Sequence, residues 1–360
     1  MIAIKKEGII LSETELDFEN DGVLNPGIIQ VGNTVHMFYR AVRKENYSTI
    51  GYAKLDGPLK VIERNKEPLI IPSTDDEIHG IEDPRVVKIG DLYYLTYCAY
   101  DGVNALGSYA TSTDLVHFEK HGVIAPQVSY NEFKRLSGFT GKLNQKYERF
   151  HVNNHIENNP DKEILLWDKN FVLFPRMINN KFTLLHRIRP DIQIASVAKL
   201  SDLNKEFWND YLLHFCENIV MTSKYDHEIG YIGGGCPPIE TKAGWIIIYH
   251  GVHDTAEGYV YCACAAMLDL KNPQKEIARL PYALFCPDQP WELTGYVNNV
   301  VFPTGTSIFE DRLYIYYGAA DKRIAVTSVN LEELIAELLN INLTAIYRNN
   351  IMQHIVCLDG

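Results

Sequence analysis

The sequence predicts an all-β protein built as a five-bladed β-propeller with a short C-terminal helix. Three observations carry that expectation. A pair of strand-like runs joined by a short turn occurs five times, the copies are almost evenly spaced once one insertion is set aside, and only one segment shows clear helical spacing. A unit of four short strands cannot bury both of its faces alone. Five such units therefore have to stack on one another, and closing them into a ring leaves no end unit exposed.

The copies follow in order. Asn25-Pro26 leads into Gly27-Ile28-Ile29, the chain turns at Gly32-Asn33, and Val35 to Arg40 return. Asp83-Pro84 leads into Arg85-Val86-Val87, with a turn at Gly90-Asp91 and a return through Leu92 to Tyr97. Phe174-Pro175 is followed by a turn at Asn179-Asn180 and a return from Phe182 to Arg187. Pro237-Pro238 precedes a turn at Lys242-Ala243-Gly244 and a return from Trp245 to His250. Phe302-Pro303 precedes a turn near Glu310-Asp311 and a return from Leu313 to Gly318. The marker prolines at 26, 84, 175, 238 and 303 are 58, 91, 63 and 65 residues apart, and the long interval contains a polar insertion at about 127–163. Further strand material, such as Ile50-Gly51-Tyr52-Ala53, follows the copies and completes each unit. Leu331 to Leu339 has helical spacing behind Asn330 as N-cap. We therefore read 1–340 as a single propeller domain and 341–360 as a C-terminal extension.

Composition narrows the function. Of 360 residues, 46% are hydrophobic, enough for a large core, and 34 Lys and Arg stand against 46 Asp and Glu, for a formal net charge of -12. That balance repels nucleic acid and anionic lipid. No run approaches the length of a membrane span and the N-terminus lacks a signal-peptide pattern, so a cytoplasmic protein without membrane partners is expected. The seven cysteines form no C-x-x-C pair and read as small buried thiols rather than a disulfide or zinc framework. No metal site is expected; His250 and His253 read as a polar strand end.

In a propeller, equivalent positions of different blades meet at one end of the central channel. Asn25 and Asp83 both precede the leading Pro. Arg40, His186-Arg187 and His250 end the second strands, Asp191 and Asp321 follow shortly after theirs, and Arg85 and Lys169 flank the same region. Charged groups that end apolar strands are costly unless they share a polar site, and their repetition points to one. A second concentration, Asp226-His227-Glu228 ahead of three glycines, reads as an exposed loop with two carboxylates. Opposed carboxylates ringed by Arg, His, Asn and aromatic side chains suit glycoside chemistry, in which one acid protonates the departing oxygen while a second group acts on the far face of the sugar.

At these residues the chain resembles glycoside hydrolase family 130, the β-mannoside phosphorylases and their hydrolytic relatives. The resemblance is carried by Glu82-Asp83-Pro84-Arg85, by Phe171 to Pro175 with His186-Arg187, by Ile232 to Ile239 with Tyr249-His250-Gly251-Val252, and by Asn299 to Gly305 with Tyr316 to Asp321. It spans nearly all of 20–335 and implies a five-bladed propeller. It also implies Asp83 as proton donor, acting in the phosphorylases through a sugar hydroxyl, and places Arg40, His186, Arg187, His250 and Asp321 at sugar or phosphate contacts. Two departures stand out. Tyr231 occupies the position of a phosphate-holding Lys, and Leu166-Trp167-Asp168-Lys169-Asn170 replaces a basic, amide-bearing segment.

Losing that cation beside Asp226 and Glu228 favours hydrolysis of β-mannosides, first of all β-1,2-linked mannooligosaccharides. Inversion is expected, with Asp83 or a near neighbour as acid and Glu228, or Asp226, as base. Phosphorolysis, releasing mannose 1-phosphate with inorganic phosphate as co-substrate, is the second reading, and a non-catalytic carbohydrate-binding propeller is the third. No cofactor is implied otherwise, and a homo-oligomer is compatible with the sequence.

Overall fold

The computed structural model describes residues 2–138, 143–147, 163–256 and 258–340. The expected extension 341–360 and most of the 127–163 insertion lie outside the described residues. After a first strand, β1 (Ile4–Leu11), the chain makes five antiparallel units in succession, spread over four sheets because a single parallel pairing of Ser48 with Gly80 joins the first two units into one. The first is β2 (Gly22–Val31), β3 (Thr34–Arg43), β4 (Tyr47–Asp56) and β5 (Lys60–Arg64), and the second is β6 (Gly80–Ile89), β7 (Leu92–Tyr100), β8 (Ala105–Ser112) and β9 (Glu119–Val123). The third is β10 (Lys169–Leu173), β11 (Phe182–Arg187), β12 (Ile192–Val197) and β13 (Ile219–Met221). The fourth holds β14 (Tyr231–Gly234), the two-residue β15 (Ile239–Glu240), β16 (Trp245–Thr255), β17 (Gly258–Leu268) and β18 (Glu276–Arg279). The fifth is β19 (Val301–Phe309), β20 (Arg312–Ala319) and β21 (Arg323–Asn330), and β1 completes it by pairing with β21 from Ile4 opposite Val329 to Leu11 opposite Ile324. One sheet is thus made from both ends of the described chain.

The leading strands pack on one another in order: β2 against β6 and β19, β6 against β10, and β10 against β14. The approach is close enough to dictate residue type. A Cβ on Gly27 would lie 2.7 Å from the Pro84 carbonyl oxygen, so only glycine lets β2 and β6 meet.

The same polar network recurs inside four of the five units. In each, a short helical turn ahead of the leading strand offers a fully or almost fully buried glutamate to a tyrosine of the second strand and to a cation of the outermost strand. Glu19 accepts from Tyr39 Oη at 2.8 Å and pairs with Arg64 at 2.9 Å. Glu77 accepts from Tyr97 Oη at 2.7 Å and pairs with Lys120 at 2.5 Å. Glu228 accepts from Tyr249 Oη and pairs with Arg279 at 3.1 Å. Glu292 accepts from Tyr317 Oη at 2.5 Å and pairs with Lys6 at 2.6 Å. Burying these carboxylates is tolerable because each is both hydrogen-bonded and neutralised. In the third sheet His186 stands at the tyrosine position, hydrogen-bonded to Asp168 at 2.8 Å and Tyr211 at 2.8 Å.

Helix is richer than the sequence suggests. Residues 331–340 are helical as expected, with Asn330 Oδ1 accepting from the Glu333 N–H at 3.0 Å. Inside the supposed polar insertion, however, Tyr130–Ser137 forms a helix capped by Ser129, and its Phe133 and Leu136 pack with Trp208 and Tyr211 of the helix Lys205–Leu213. Spacing over eight residues is too short to reveal such a helix without its partner. The cysteine reading also needs correction: Cys262 and Cys286 form a disulfide. An isolated bridge between Ala263 and Phe285 brings their neighbours together, a contact that strand alternation in Tyr261-Cys262-Ala263-Cys264 cannot reveal. Cys98, Cys216, Cys236 and Cys264 are free thiols. No helix among the described residues is long and apolar enough to cross a membrane.

Candidate active site

The leading strands β2, β6 and β10 share one irregularity. Each carries a bulge, and at it Asn25, Asp83 and Asn170 adopt positive φ of 50°, 52° and 56°. Asn and Asp tolerate this region best, but a residue before proline is normally extended, so Asn25-Pro26 and Asp83-Pro84 are held in a sparsely populated conformation. Bulges re-aim side chains. Here they supply a cavity of about 180 Å³ with Asn25, Asp83 and Asn170 in its lining. Every sheet contributes to that lining: Arg40 from β3, Lys169 from β10, Arg187 from β11, Tyr231 from β14 and Tyr261 from β17, Phe302 from β19, and Asp321 from the turn after β20.

One wall is a carboxylate cluster. Asn25 Nδ2 donates to Asp83 Oδ1 at 2.7 Å, and Arg85 Nη1 donates to the Asp83 carbonyl at 2.6 Å while its Nε reaches the Gly235 carbonyl at 3.1 Å. Arg85 therefore fixes the strand that presents Asp83 rather than lining the cavity. Arg40 lies 4.0 Å from Asp83 Oδ1 and 2.9 Å from Glu82 Oε1, and Lys169 Nζ is 2.9 Å from Glu82 Oε2. Burial alone would raise the Glu82 pKa, but Arg40 and Lys169 outweigh it and hold the carboxyl at about 2. Asp321 is different. Burial pushes it up to about 6, Asp83 and Glu82 add to the shift, and Arg40 offsets it only in part.

The other wall is cationic. The Arg187 guanidinium is 6% exposed, forms no ion pair among the described residues, and leaves Nε without a hydrogen-bond partner. One N–H reaches His250 Nε2 at 3.3 Å. Burial, with repulsion from Arg189, lowers its pKa to about 10. Burial and then Arg187 likewise push His250 well below the usual imidazole range, so it stays neutral. His250 Nδ1 and Asn170 Nδ2 are also buried without partners. Gly233 keeps this corner open, since a Cβ there would lie 2.5 Å from His250 Nε2 and 2.7 Å from Asn170 Nδ2. Arg187 and Arg189 lie 5.4 Å and 4.8 Å from the centre of the Tyr231 ring, whose hydroxyl bonds to Tyr261.

The structure brings Asn25, Arg40, Asp83, Lys169, Arg187, Tyr231 and Asp321 to one cavity, with His250 behind Arg187. It does not bring the rest. Asp226 is exposed on its turn. Glu228 is 0% exposed and bonded to Tyr249, and strand alternation puts Tyr249 on the opposite face of β16 from His250. His186 belongs to the internal network, with both ring nitrogens engaged, and Asp191 accepts from Tyr147 Oη at 2.9 Å outside the cavity. Sequence reasoning missed Asn170 and Arg189. The signal for Asn170 was its match to Asn25 and Asp83 at the head of a leading strand; Arg189 carries no repeat signal.

One sheltered polar cavity thus gathers a buried carboxylate, amides and cations on a scaffold of five repeated antiparallel units, a lining suited to a carbohydrate-active enzyme. The chain belongs to glycoside hydrolase family 130: the family model, described as beta-1,4-mannooligosaccharide phosphorylase, matches residues 9–340. It is 30% identical over 348 residues to the 1,2-beta-oligomannan phosphorylase of Thermoanaerobacter sp. (strain X514), covering 93% of this chain and 99% of the relative. It is also 30% identical over 336 residues to the beta-1,2-mannobiose phosphorylase of the same organism, covering 89% of this chain and 94% of the relative. Its fold is shared with the Listeria innocua beta-1,2-mannobiose phosphorylase structure in complex with beta-1,2-mannobiose, at a TM-score of 0.68 and 21% identity, covering 94% of this chain and 99% of that one.

Proposed function

We propose that this enzyme is a β-1,2-mannoside phosphorylase, its five antiparallel units arranged as the blades of a five-bladed propeller around the catalytic cavity. The observation that carries the reading is Arg187, a buried guanidinium facing Arg189 and lacking a carboxylate partner among the described residues. A cation without counter-charge in a sheltered site is destabilising, and a bound oxyanion relieves it through charge-assisted hydrogen bonds. Phosphate is an anion of that kind. Arg187, together with the open donor of Asn170, holds it at the face of the mannosyl ring opposite the leaving oxygen.

In the proposed reaction a phosphate oxygen attacks the anomeric carbon as the glycosidic C–O bond breaks. Asp83 gives up a proton, relayed through a hydroxyl of the bound mannose, and the leaving oxygen takes one up. The products are mannose 1-phosphate and a saccharide one unit shorter. Asn25 orients Asp83, and Asp321 and Arg40 bind sugar hydroxyls.

Hydrolysis, favoured by the sequence, loses its support. Glu228 and Asp226, the expected bases, lie away from the cavity, and Tyr231, which replaces the expected Lys, supports two guanidinium groups on its ring. The relatives named above act on β-1,2-linked mannosides with phosphate, which supports the same linkage here. Incubating the enzyme with β-1,2-mannobiose is expected to yield mannose 1-phosphate and mannose only when phosphate is present; release of two mannoses without phosphate would overturn the reading. Arg187→Met is expected to raise the phosphate KM by roughly 100-fold, since it removes a buried charge-assisted contact.

A pH prediction follows from Asp321. Its carboxyl moves from the ordinary 3.8 to about 6 on burial, so it is protonated below that pH and no longer balances Arg40. The acid limb of kcat/KM should have its midpoint near pH 6, and it should be displaced or absent in Asp321→Asn. Because the folded protein holds this proton more tightly than the unfolded chain does, the contribution of Asp321 to stability falls as pH rises from about 4 through 6.

A further inference from the structure

Two arginines occupy the same place on the second strands of their units, and they are held in different ways. Arg40, which follows Tyr39, pairs with Glu82 at 2.9 Å and donates from Nε to Ser48 Oγ at 2.8 Å. Arg187, which follows His186, makes no ion pair among the described residues, and its Nε has no hydrogen-bond partner. Its guanidinium meets His250 Nε2 at 3.3 Å and stands 5.4 Å from the centre of the Tyr231 ring. A long side chain without a counter-charge has to be ordered when its anion arrives, at a cost in rotamer freedom. A rigid backbone beneath it lowers that cost.

The backbone on both sides of Arg187 is clamped by buried side chains. Asp168 Oδ1 accepts from the Arg187 N–H at 3.2 Å, and the two Asp168 oxygens lie 3.0 and 2.8 Å from His186 Nδ1. Tyr211 Oη stands 2.8 Å from the other ring nitrogen and donates to the Ile194 carbonyl at 3.0 Å. On the far side of Arg187, Gln193 Oε1 accepts from the Ile188 N–H at 2.7 Å while Gln193 Nε2 donates to the Ile188 carbonyl at 3.0 Å. Asp168, His186 and Gln193 are all 0% exposed, a state that polar groups tolerate when they are hydrogen-bonded. The other four units anchor this strand through a tyrosine side chain and a glutamate from a preceding turn. Here the carboxylate also takes the N–H of the next residue, and it comes from the position directly ahead of Lys169 and Asn170, which line the cavity.

We propose that Asp168 and Gln193 are positioning residues for phosphate, which clamp the backbone on either side of Arg187 so that its guanidinium is already aimed when the anion binds. This assignment rests on the phosphorylase reading. The test is to measure KM for phosphate and KM for β-1,2-mannobiose, each at saturation of the other, together with the thermal transition of every variant. Asp168→Ala and Gln193→Met, the second close to glutamine in length, are each expected to raise the phosphate KM about tenfold and to keep the mannobiose KM within about twofold, because a small misplacement of one binding group is felt by its own ligand. Asp168→Asn should return the phosphate KM close to wild type. Its amide oxygen can accept from the Arg187 N–H, and its NH₂ can donate to Nδ1 of the other His186 tautomer. Tyr317→Phe opens the corresponding network in the fifth unit, so it should lower the thermal transition and leave both KM values unchanged.

An unchanged phosphate KM in Asp168→Ala, or in Gln193→Met where the alanine variant does not fold, would overturn the positioning role while leaving phosphorolysis intact. So would a parallel rise of both KM values, or an equal rise of the phosphate KM in Tyr317→Phe, since either would mark a general loosening of the fold. Absence of mannose 1-phosphate from the wild-type reaction would instead sink the phosphorylase reading itself.

Discussion

Asp83→Asn is expected to lower kcat by about 10³-fold, the scale of a lost general acid, while the protein stays folded. The substitution is nearly isosteric, and the groups that hold position 83 act largely through the backbone. Arg85 binds the carbonyl, and the bulge after Glu82 fixes the strand. Asn25 keeps a partner, because an amide oxygen at position 83 can still accept from its Nδ2. Stability and phosphate affinity should therefore change little, which separates lost proton transfer from lost binding. If turnover stays within tenfold of wild type, Asp83 is not the acid. Failure of the fold would show instead as a shift in the thermal transition.

The opposite pattern is expected for Glu228→Ala. This buried side chain accepts from Tyr249, from the Lys224 N–H at 2.7 Å, and from Arg279. Removing it leaves a buried guanidinium short of one of its two carboxylates and a tyrosine hydroxyl without its acceptor, at a cost of about 3–5 kcal/mol. Equilibrium unfolding in denaturant measures that loss, and at a temperature where the variant is folded its kcat should remain within a few-fold of wild type. Glu77→Ala should behave alike, because Glu77 has the same place in the second sheet, bonded to Tyr97 and Lys120. A Glu228 variant of unchanged stability that has lost turnover would mean that the carboxylate does chemistry after all.

The contrast between these two carboxylates shows how far the sequence could be read. Both stand just ahead of or at the head of a leading strand, both have charged neighbours, and both look equally suited to acid–base work. The network that claims Glu228 was present in the sequence as a glutamate 20, 20, 21 and 25 residues before a strand tyrosine in four repeats. Its cations come from the far strand of each sheet, however, and for the fifth sheet from Lys6 at the other end of the chain. That non-local partner is what places a candidate base in an internal network rather than in the cavity. His186 and Arg187 make the same point within one dipeptide: alternation along β11 sends the first into the internal network and the second into the cavity, and local pattern does not say which.

The five-fold repeat, the all-β class, the terminal helix behind Asn330 and the convergence of Asn25, Arg40, Asp83 and Arg187 were all legible from residue order, because strand periodicity and repeat spacing are local properties that survive without coordinates. The pairing of β1 with β21, the Cys262–Cys286 link, the helix within the insertion and the enclosure of Glu228 away from the cavity were not. Each depends on which distant groups become neighbours and on whether a charge, once buried, finds its counter-charge. Glu228 finds one in Arg279. Arg187 makes no ion pair among the described residues, and on that difference the proposed function turns.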